Sequence, residues 1–309
     1  LECLLSPPDV LFVPAHTIPL IRLPGLKTVV TIHDLGAQFL PNYHKFPQKY
    51  YLNFATEYAI RHANRIVAVS EYTKKDIINK FHPSGGKILS HPTGETGEKI
   101  KVVYEGYDRE LFYPRSEEEI ARVKSKYGID GDYLLFVGTI QPRKNLVRLI
   151  EAFAEATTNY KLQTTQLVLA GSPGWLYEEI YKAPEKFGVG DRVKFPGQVP
   201  DEDLPALMSG CKAFVFPSLY EGFGLSLLEA MACGAITVTS NVTSLPEVGG
   251  GAPFYVDPND TESIIRALKM VLNLSETERE QKSKEGIVQA DNFSWEKSAK
   301  EVLSLINQM

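Results

Sequence analysis

Short apolar runs alternate with helical patterns along almost the whole of this chain. The runs lie at 10–13, 28–32, 65–69, 101–104, 133–137, 166–170, 192–195, 212–216, 235–239 and 254–256. Most are continuously apolar and do not alternate with polar residues, as expected of strands buried on both faces. Between them lie helical stretches such as 48–63, 71–81, 145–156, 204–209 and 261–272. Such a series folds as parallel sheets joined by right-handed helical crossovers. The expected class is therefore α/β, built from Rossmann-like doubly wound domains.

A chain of 309 residues suits two such domains. The turn, proline and acidic run near Tyr113–Ser116 place the expected join, giving domains 1–113 and 114–293. Ser294 is a suitable N-cap for a last helix, 294–309, whose Trp295, Ala299, Val302 and Ile306 form an apolar stripe. That helix follows the second sheet's series, so it is expected to pack back on the first domain. The first half offers four strands in about 110 residues and starts at Leu1, fewer than a doubly wound domain carries, so the N-terminal domain is expected to be truncated. The polar, glycine-rich stretch 82–99 is expected to be a surface loop.

Net charge is -5, which argues against general nucleic-acid binding. Three cysteines without metal-ligand spacing fit a reducing compartment, and no apolar run approaches the roughly 20 residues of a membrane helix. The N-terminal residues lack a signal-peptide pattern, so a cytoplasmic protein is expected. Phe46, Tyr50, Tyr51, Phe54 and Tyr58 read as core packing of one helix, with peripheral contact at the inner membrane surface as the alternative.

In open α/β sheets, ligands collect where strand C-terminal ends meet helix N-termini. Four such loops carry candidate chemistry. "GTIQPRKN" at 138–145 holds Arg143 and Lys144 where Asn145 can cap the next helix, a place suited to a diphosphate. "YEGFGLSLLEAMACG" at 220–234 carries Gly222 and Gly224, which admit close backbone approach, before a helix ended by Gly234. In that helix Leu225, Leu228, Glu229 and Ala232 share one face, so Glu229 takes a core-facing slot and needs a donor or a ligand there. Glu221 and Glu229 lie about 12 Å apart if helical throughout, suiting two distant parts of one elongated ligand. "TIHDLG" at 31–36 puts His33 and Asp34 at a strand end, with a histidine that titrates near neutrality. "AGSPGW" at 170–175 offers Gly171 and Ser172, and "FPGQVP" at 195–200 offers Gly197 and Val199 as backbone that could meet a base. Asp130–Asp132 reads as a turn, Asp201–Asp203 as acidic capping of a first helical turn, and Ser70 as an N-cap.

With "TIHDL", "VGTIQPRKNL", "AGSPGW", the long segment around "SLYEGFGLSLLEAMACG" and the closing "FSWEKSAKEV", the sequence resembles the family 4 retaining glycosyltransferases of the GT-B fold. "TIHDL" with "PRKN" looks most like the mannosyltransferase-like branch. The resemblance implies two Rossmann-like domains facing a cleft and transfer of a hexose, mannose favoured, from a nucleotide sugar to a glycan or lipid-linked acceptor. GDP-mannose is the first expectation for the donor, and no metal is expected. A donor-binding subunit without turnover and a UDP-sugar epimerase are the alternatives. By resemblance, Arg143 and Lys144 hold the diphosphate, Glu221 the donor sugar and Glu229 the ribose. Gly138, Thr139, Gly171 and Ser172 line the donor site, with Gly197 and Val199 at the base. Gly222, Phe223, Gly224 and Leu225 meet sugar or phosphate, and His33 stands across the cleft near the anomeric carbon. Two departures stand out: relatives carry Arg where this chain has Thr139, and Asn-Gly where it has Glu105-Gly106.

Overall fold

The computed structural model describes residues 8–39, 48–81, 99–158 and 164–309. The loop expected at 82–99 lies, apart from Lys99, outside the described residues, as do Cys3 and Phe46. The chain divides into two compact units. One comprises Leu1–Gly106 with Ser294–Met309, the other Tyr107–Phe293. The division thus falls between Gly106 and Tyr107, ahead of Tyr113–Ser116.

The first unit holds strands β1 (Val10–Val13), β2 (Lys27–Ile32), β3 (Arg65–Ala68) and β4 (Ile100–Val102), all parallel and in the order β1-β2-β3-β4. Alternate residues of each strand face opposite ways, so each face has its own core. Val30, Ile32, Ile66 and Ala68 pack with Ile60 and Ile77, which belong to helices α2 (Gln48–His62) and α3 (Glu71–Phe81). A short α1 (Gly36–Phe39) precedes them. Val29, Val67 and Val103 face the other way and pack with Val302, Leu305 and Ile306 of a returning helix, Trp295–Asn307. That helix is capped by Ser294, whose side chain accepts from the Lys297 N–H at 3.1 Å. Its buried stripe is rotated from the sequence reading. Ser298 and Leu305 are buried, whereas Trp295 and Ala299 are exposed.

Two local features fix this unit's helices. Ser70 caps α3, accepting from the Thr73 N–H at 3.0 Å. Buried Lys99 donates to the carbonyls of Ile60 at 2.8 Å and Arg61 at 3.2 Å, placing a cation on the negative end of α2. The aromatic residues of α2 depart from the core role expected of them. Tyr50, Tyr51 and Phe54 are 62%, 64% and 58% exposed, and among these aromatic residues it is Tyr58 that packs against the core.

In the second unit, β5 (Tyr133–Val137), β6 (Gln166–Ala170), β7 (Val193–Gly197), β8 (Ala213–Phe216), β9 (Thr237–Ser240) and β10 (Phe254–Val256) form one parallel sheet. Their order is β10-β9-β8-β5-β6-β7. The series runs outward from the middle, first one way and then the other, and it reverses between β5 and β8. Helices α4 (Glu117–Lys126), α5 (Leu146–Ala156), α6 (Glu178–Lys186), α7 (Leu204–Gly210), α8 (Leu225–Ala232), α9 (Leu245–Gly249), α10 (Thr261–Leu272) and α11 (Glu276–Ala290) connect and follow the strands. Capping boxes, Ser116 with Glu119 and Ser275 with Glu278, start α4 and α11. Asp203 does not cap α7 with its side chain as the acidic run suggested. It is buried and accepts instead from Lys126 at 2.5 Å and the Tyr127 hydroxyl at 2.8 Å. Asp130–Asp132 lies in the turn before β5, and Asp132 pairs with Lys212 at 3.3 Å. Among the described residues, no helix is long and apolar enough to cross a membrane.

Gly106 presses against the start of the returning helix so closely that a Cβ there would lie 2.1 Å from the Trp295 nitrogen. Gly106→Ala is therefore expected to displace that helix and lower stability by about 1–3 kcal/mol, read from urea unfolding of the full chain. Unchanged unfolding would show that the helix start yields without cost.

Candidate active site

The reversal between β5 and β8 splays apart the connections that leave their C-terminal ends, so a crevice opens there. The chain leaving β5 runs through Gly138 and Thr139 into one turn of 3-10 helix, Pro142–Lys144, before α5. The chain leaving β8 runs from Pro217 to Gly224 before α8. The two are stitched together by hydrogen bonds to main-chain carbonyls. Leu219 N–H donates to the Arg143 carbonyl at 2.9 Å, and Arg143 Nη1 donates to the Tyr220 carbonyl at 2.8 Å. Asn145 takes a left-handed conformation (φ 62°) and makes no side-chain cap, contrary to the sequence reading. Its amide instead donates to the carbonyls of Pro217 at 3.2 Å and Pro258 at 2.8 Å, tying three loops together.

Arg143, Lys144 and Glu221 meet in this crevice. Lys144 Nζ lies 2.6 Å from Glu221 Oε1, and Arg143 Nη1 lies 3.2 Å from Oε2. All three side chains are largely withdrawn from water, and Lys144 also sits over the Phe216 ring at 4.6 Å. Burial by itself would raise the Glu221 carboxyl, but Lys144 and then Arg143 outweigh it and hold the group below its ordinary value. The cluster carries two positive charges and one negative. Its net charge suits an anion, and breaking such a buried pair costs about 3–5 kcal/mol.

Helix α8 begins beside this cluster. Gly224 (φ 110°) occupies its N-cap, so no N-cap side chain covers the first-turn N–H groups. A Cβ at Gly224 would lie 2.8 Å from Leu245, which keeps the position small. The helix stops in a Schellman turn: Gly234 N–H donates to Met231 and Ala235 N–H to Ala230, both at 3.0 Å. Its buried residues are Leu227, Leu228, Ala230, Met231 and Ala232. Glu229 and Leu225 lie at the edge of that face, half-buried, so Glu229 does not enter the core as its spacing suggested. Burial and the nearby Asp201 charge push its carboxyl up to about 8. Among the described residues no cation offsets these two influences, which favour the protonated carboxyl.

The neighbouring loops are laced to the same crevice. Gly138 N–H donates to the Ala170 carbonyl at 2.9 Å, and Gly171 N–H to the Gly197 carbonyl at 2.8 Å. Gly171 (φ 148°) approaches the Gly138 carbonyl so closely that a Cβ would lie 1.9 Å from it. Ile140, next to Thr139, donates to the Ser172 carbonyl at 2.9 Å, and the Ser172 hydroxyl donates to Gln198 at 3.2 Å. Val199 is buried, so of the pair offered for a base only half-buried Gly197 presents backbone. Gly222 and Phe223 lie in the loop before α8, where the Phe223 ring is buried edge-on to Phe293 at 5.7 Å.

Two residues that the sequence reading passed over shape this loop. Thr243 (φ 59°) accepts from the Glu221 N–H at 3.3 Å, and the buried Ser244 hydroxyl lies 3.0 Å from the Glu221 carbonyl and 2.8 Å from the Phe223 carbonyl. The available signal was "TSLPE", a polar turn with proline at the start of α9.

His33 belongs to the first unit, just beyond the C-terminal end of β2. Its Nδ1 lies 2.7 Å from Glu105 Oε1, and its Nε2 lies 3.1 Å from the Pro14 carbonyl. The Glu105 bond comes first among the influences on the ring. Together with the Pro14 carbonyl and the Glu105 and Asp34 charges, it outweighs burial and raises His33 above its ordinary value. His16 lies 5.4 Å from it, centroid to centroid, and is lowered chiefly by burial. Asp34 accepts from the Gly36 N–H at 2.8 Å.

The Glycosyl transferases group 1 family matches residues 117–307, and Glycosyltransferase Family 4 matches residues 4–111. O-antigen chain mannosyltransferase B of Escherichia coli is 34% identical over 271 residues, covering 87% of this chain and 67% of that protein. Serotype-specific mannosyltransferase WbdA of Escherichia coli is 32% identical over 305 residues, covering 93% of this chain. The chain spans 33% of that relative's length. Among solved structures, WaaG, a glycosyltransferase involved in lipopolysaccharide biosynthesis, superimposes with a TM-score of 0.75 at 18% identity, covering 97% of this chain and 78% of its own. Anabaena Alr3699/HepE in complex with UDP-glucose gives 0.74 at 21% identity, covering 92% and 73%. The fold is GT-B, and the chain belongs to the Glycosyl transferases group 1 family, with an N-terminal part of the Glycosyltransferase Family 4 type.

Proposed function

We propose that this chain is a retaining hexosyltransferase that draws a sugar, mannose first, from a nucleoside diphosphate donor and passes it to a glycan or lipid-linked acceptor. The observation that carries this reading is the buried Arg143–Lys144–Glu221 cluster beside the uncapped start of α8, with Glu229 on that same helix. Two cations and a helix N-terminus suit a diphosphate. Glu221 is a firm, ionised acceptor for sugar hydroxyls, and Glu229 is an acceptor for a ribose diol. The mannosyltransferases among the relatives favour mannose, and GDP-mannose is the first donor to test. A donor of this kind needs no metal if these charges meet the leaving diphosphate.

The chemistry balances without an enzyme nucleophile. The bond from the anomeric carbon to the diphosphate oxygen breaks, and the acceptor oxygen bonds to the same face of that carbon. The acceptor's proton passes to a diphosphate oxygen. Arg143 and Lys144 stabilise charge as it develops on the leaving group, and the α8 N–H groups add to that field. The family resemblance assigns His33 to the same reaction, as a hydrogen-bond donor. The exposed Tyr50, Tyr51 and Phe54 on α2 favour peripheral contact with a membrane surface, where a lipid-linked acceptor would reside.

Thermal unfolding of the full chain with GDP, UDP, GDP-mannose and UDP-glucose tests the donor site. A ligand at 100 times its Kd adds about 2.7 kcal/mol of stability, and Lys144→Ala is expected to abolish that gain while the variant still unfolds cooperatively. Equal stabilisation of wild type and Lys144→Ala would overturn the reading, as would stabilisation by no nucleotide. Transfer of mannose to a glycan acceptor by the wild-type protein then separates a transferase from a binding subunit.

Glu229 gives an independent pH test. Its folded pKa lies above the unfolded carboxyl range, so its contribution to stability is present below about pH 4.5 and is lost as pH rises through about 8. Glu229→Gln is expected to match the wild type at pH 5, to be at least as stable at pH 8, and to bind nucleoside diphosphate about tenfold or more weakly. A variant less stable than wild type at pH 8 would show that ionised Glu229 has a stabilising partner in the folded chain.

A further inference from the structure

The His33 ring is held at both nitrogens by acceptors. Glu105 reaches it at 2.7 Å on Nδ1, and the Pro14 carbonyl lies 3.1 Å from Nε2. A neutral imidazole has one N–H, so it satisfies one of these acceptors and turns a lone pair toward the other. An imidazolium donates to both. The Glu105 side chain is almost fully withdrawn from water, whereas the His33 side chain is 40% exposed. A buried carboxylate with a cationic donor in contact is far better placed than one facing a neutral ring.

The backbone that carries Glu105 is fixed on both sides. The Ser298 hydroxyl of the returning helix donates to the Tyr104 carbonyl. Gly106 lies against the backbone of Ser294 and Trp295, where a side chain would not fit. Val103 N–H extends the sheet pairing by donating to the Ala68 carbonyl at 3.0 Å. Glu105 thus leaves the β4 end on a backbone anchored from three directions and reaches past β3 to His33 at the end of β2. The other groups that face the ring leave this outcome in place. Asp34 adds negative charge, and His16 opposes a second cation but is itself lowered, chiefly by burial. The returning helix presents Trp295, Ser298 and Val302 to the cavity of about 500 Å³ that His33 and Glu105 also line, and none of these carries a charge.

We propose that Glu105 is a positioning residue that holds His33 as an imidazolium, so that the reaction uses this histidine as a fixed cation and never as a base. This deepens the transferase reading and rests on it for His33's place in the reaction. The ring keeps both protons throughout. It lends a charged N–H to substrate oxygen once the substrate displaces the Pro14 carbonyl.

Ring-nitrogen NMR on the full chain, with labelled histidine and assignment by His33→Gln, reads the protonation directly. In wild type, both His33 nitrogens are expected to carry protons at pH 6.5, with a titration midpoint above the ordinary histidine value. In Glu105→Gln, which keeps the shape and removes the charge, the midpoint falls. A neutral His33 tautomer at pH 6.5 in wild type, or an unmoved midpoint in Glu105→Gln, overturns the proposal. Kinetics with GDP-mannose add the functional consequence. The alkaline limb of kcat is expected to move to lower pH in Glu105→Gln, with the loss of kcat relative to wild type about tenfold greater at pH 8 than at pH 6, and donor KM little changed. If the NMR midpoint falls but the kcat limb stays, the pairing stands and His33's place in the transfer reaction fails.

Discussion

Everything in the crevice at the β5 and β8 ends depends on one buried contact, the grip of Arg143 and Lys144 on Glu221. The two loops it joins leave neighbouring strands and diverge, because the strand order reverses between them. Without that contact, two like charges would sit side by side in a partly dry site and repel each other. With it, they are held in place before any ligand arrives. The Glu221 backbone is held in turn by Thr243 and Ser244, so the anchor itself is anchored. A site prepared in this way loses little order on binding, and its electrostatic field needs no rearrangement when charge develops.

The two carboxylates of the second unit show how place decides ionisation. Glu221 is more deeply buried but lies against two cations, so it stays charged. Glu229 is less buried but is pushed up by its burial and by the Asp201 charge, so its proton is held more firmly. Their spacing on the chain is regular, yet their chemistry is opposite. A ligand that offers hydroxyls to one and a phosphate to the other's neighbours would meet a charged acceptor at one end and a titrating one at the other. His33 in the first unit is a third variation. It is the more exposed partner of a buried acid, and the acid sets its state.

Much of this was legible in the sequence, and the parts that were not have physical reasons. Every strand and the order of the motifs followed from apolar runs, since strands buried on both faces have few ways to look different. Arg143, Lys144 and Glu221 were each legible as strand-end residues. Their mutual contact was not, because it depends on which strands are neighbours. Glu229 read as core because α8 is short, and one residue of rotation moves a side chain from the face to its edge. Asn145 and Asp203 read as caps from residue type alone, but tertiary partners, Pro217 and Pro258 for one and Lys126 and Tyr127 for the other, were better placed to use them. Tyr50, Tyr51 and Phe54 read as core because aromatic residues in a helix usually are. Glu105 registered only as a departure from its relatives, since its partner lies far back in the chain.

The returning helix has a consequence for how the chain is made. The second unit is one uninterrupted run, and all of it is synthesised before the helix that completes this core of the first unit. Val29, Val67 and Val103 must therefore wait, uncovered on one side, while some 190 residues of the other unit are added. The first unit is thus interrupted in sequence by the second, and the Glu105 backbone is locked only when the returning helix docks.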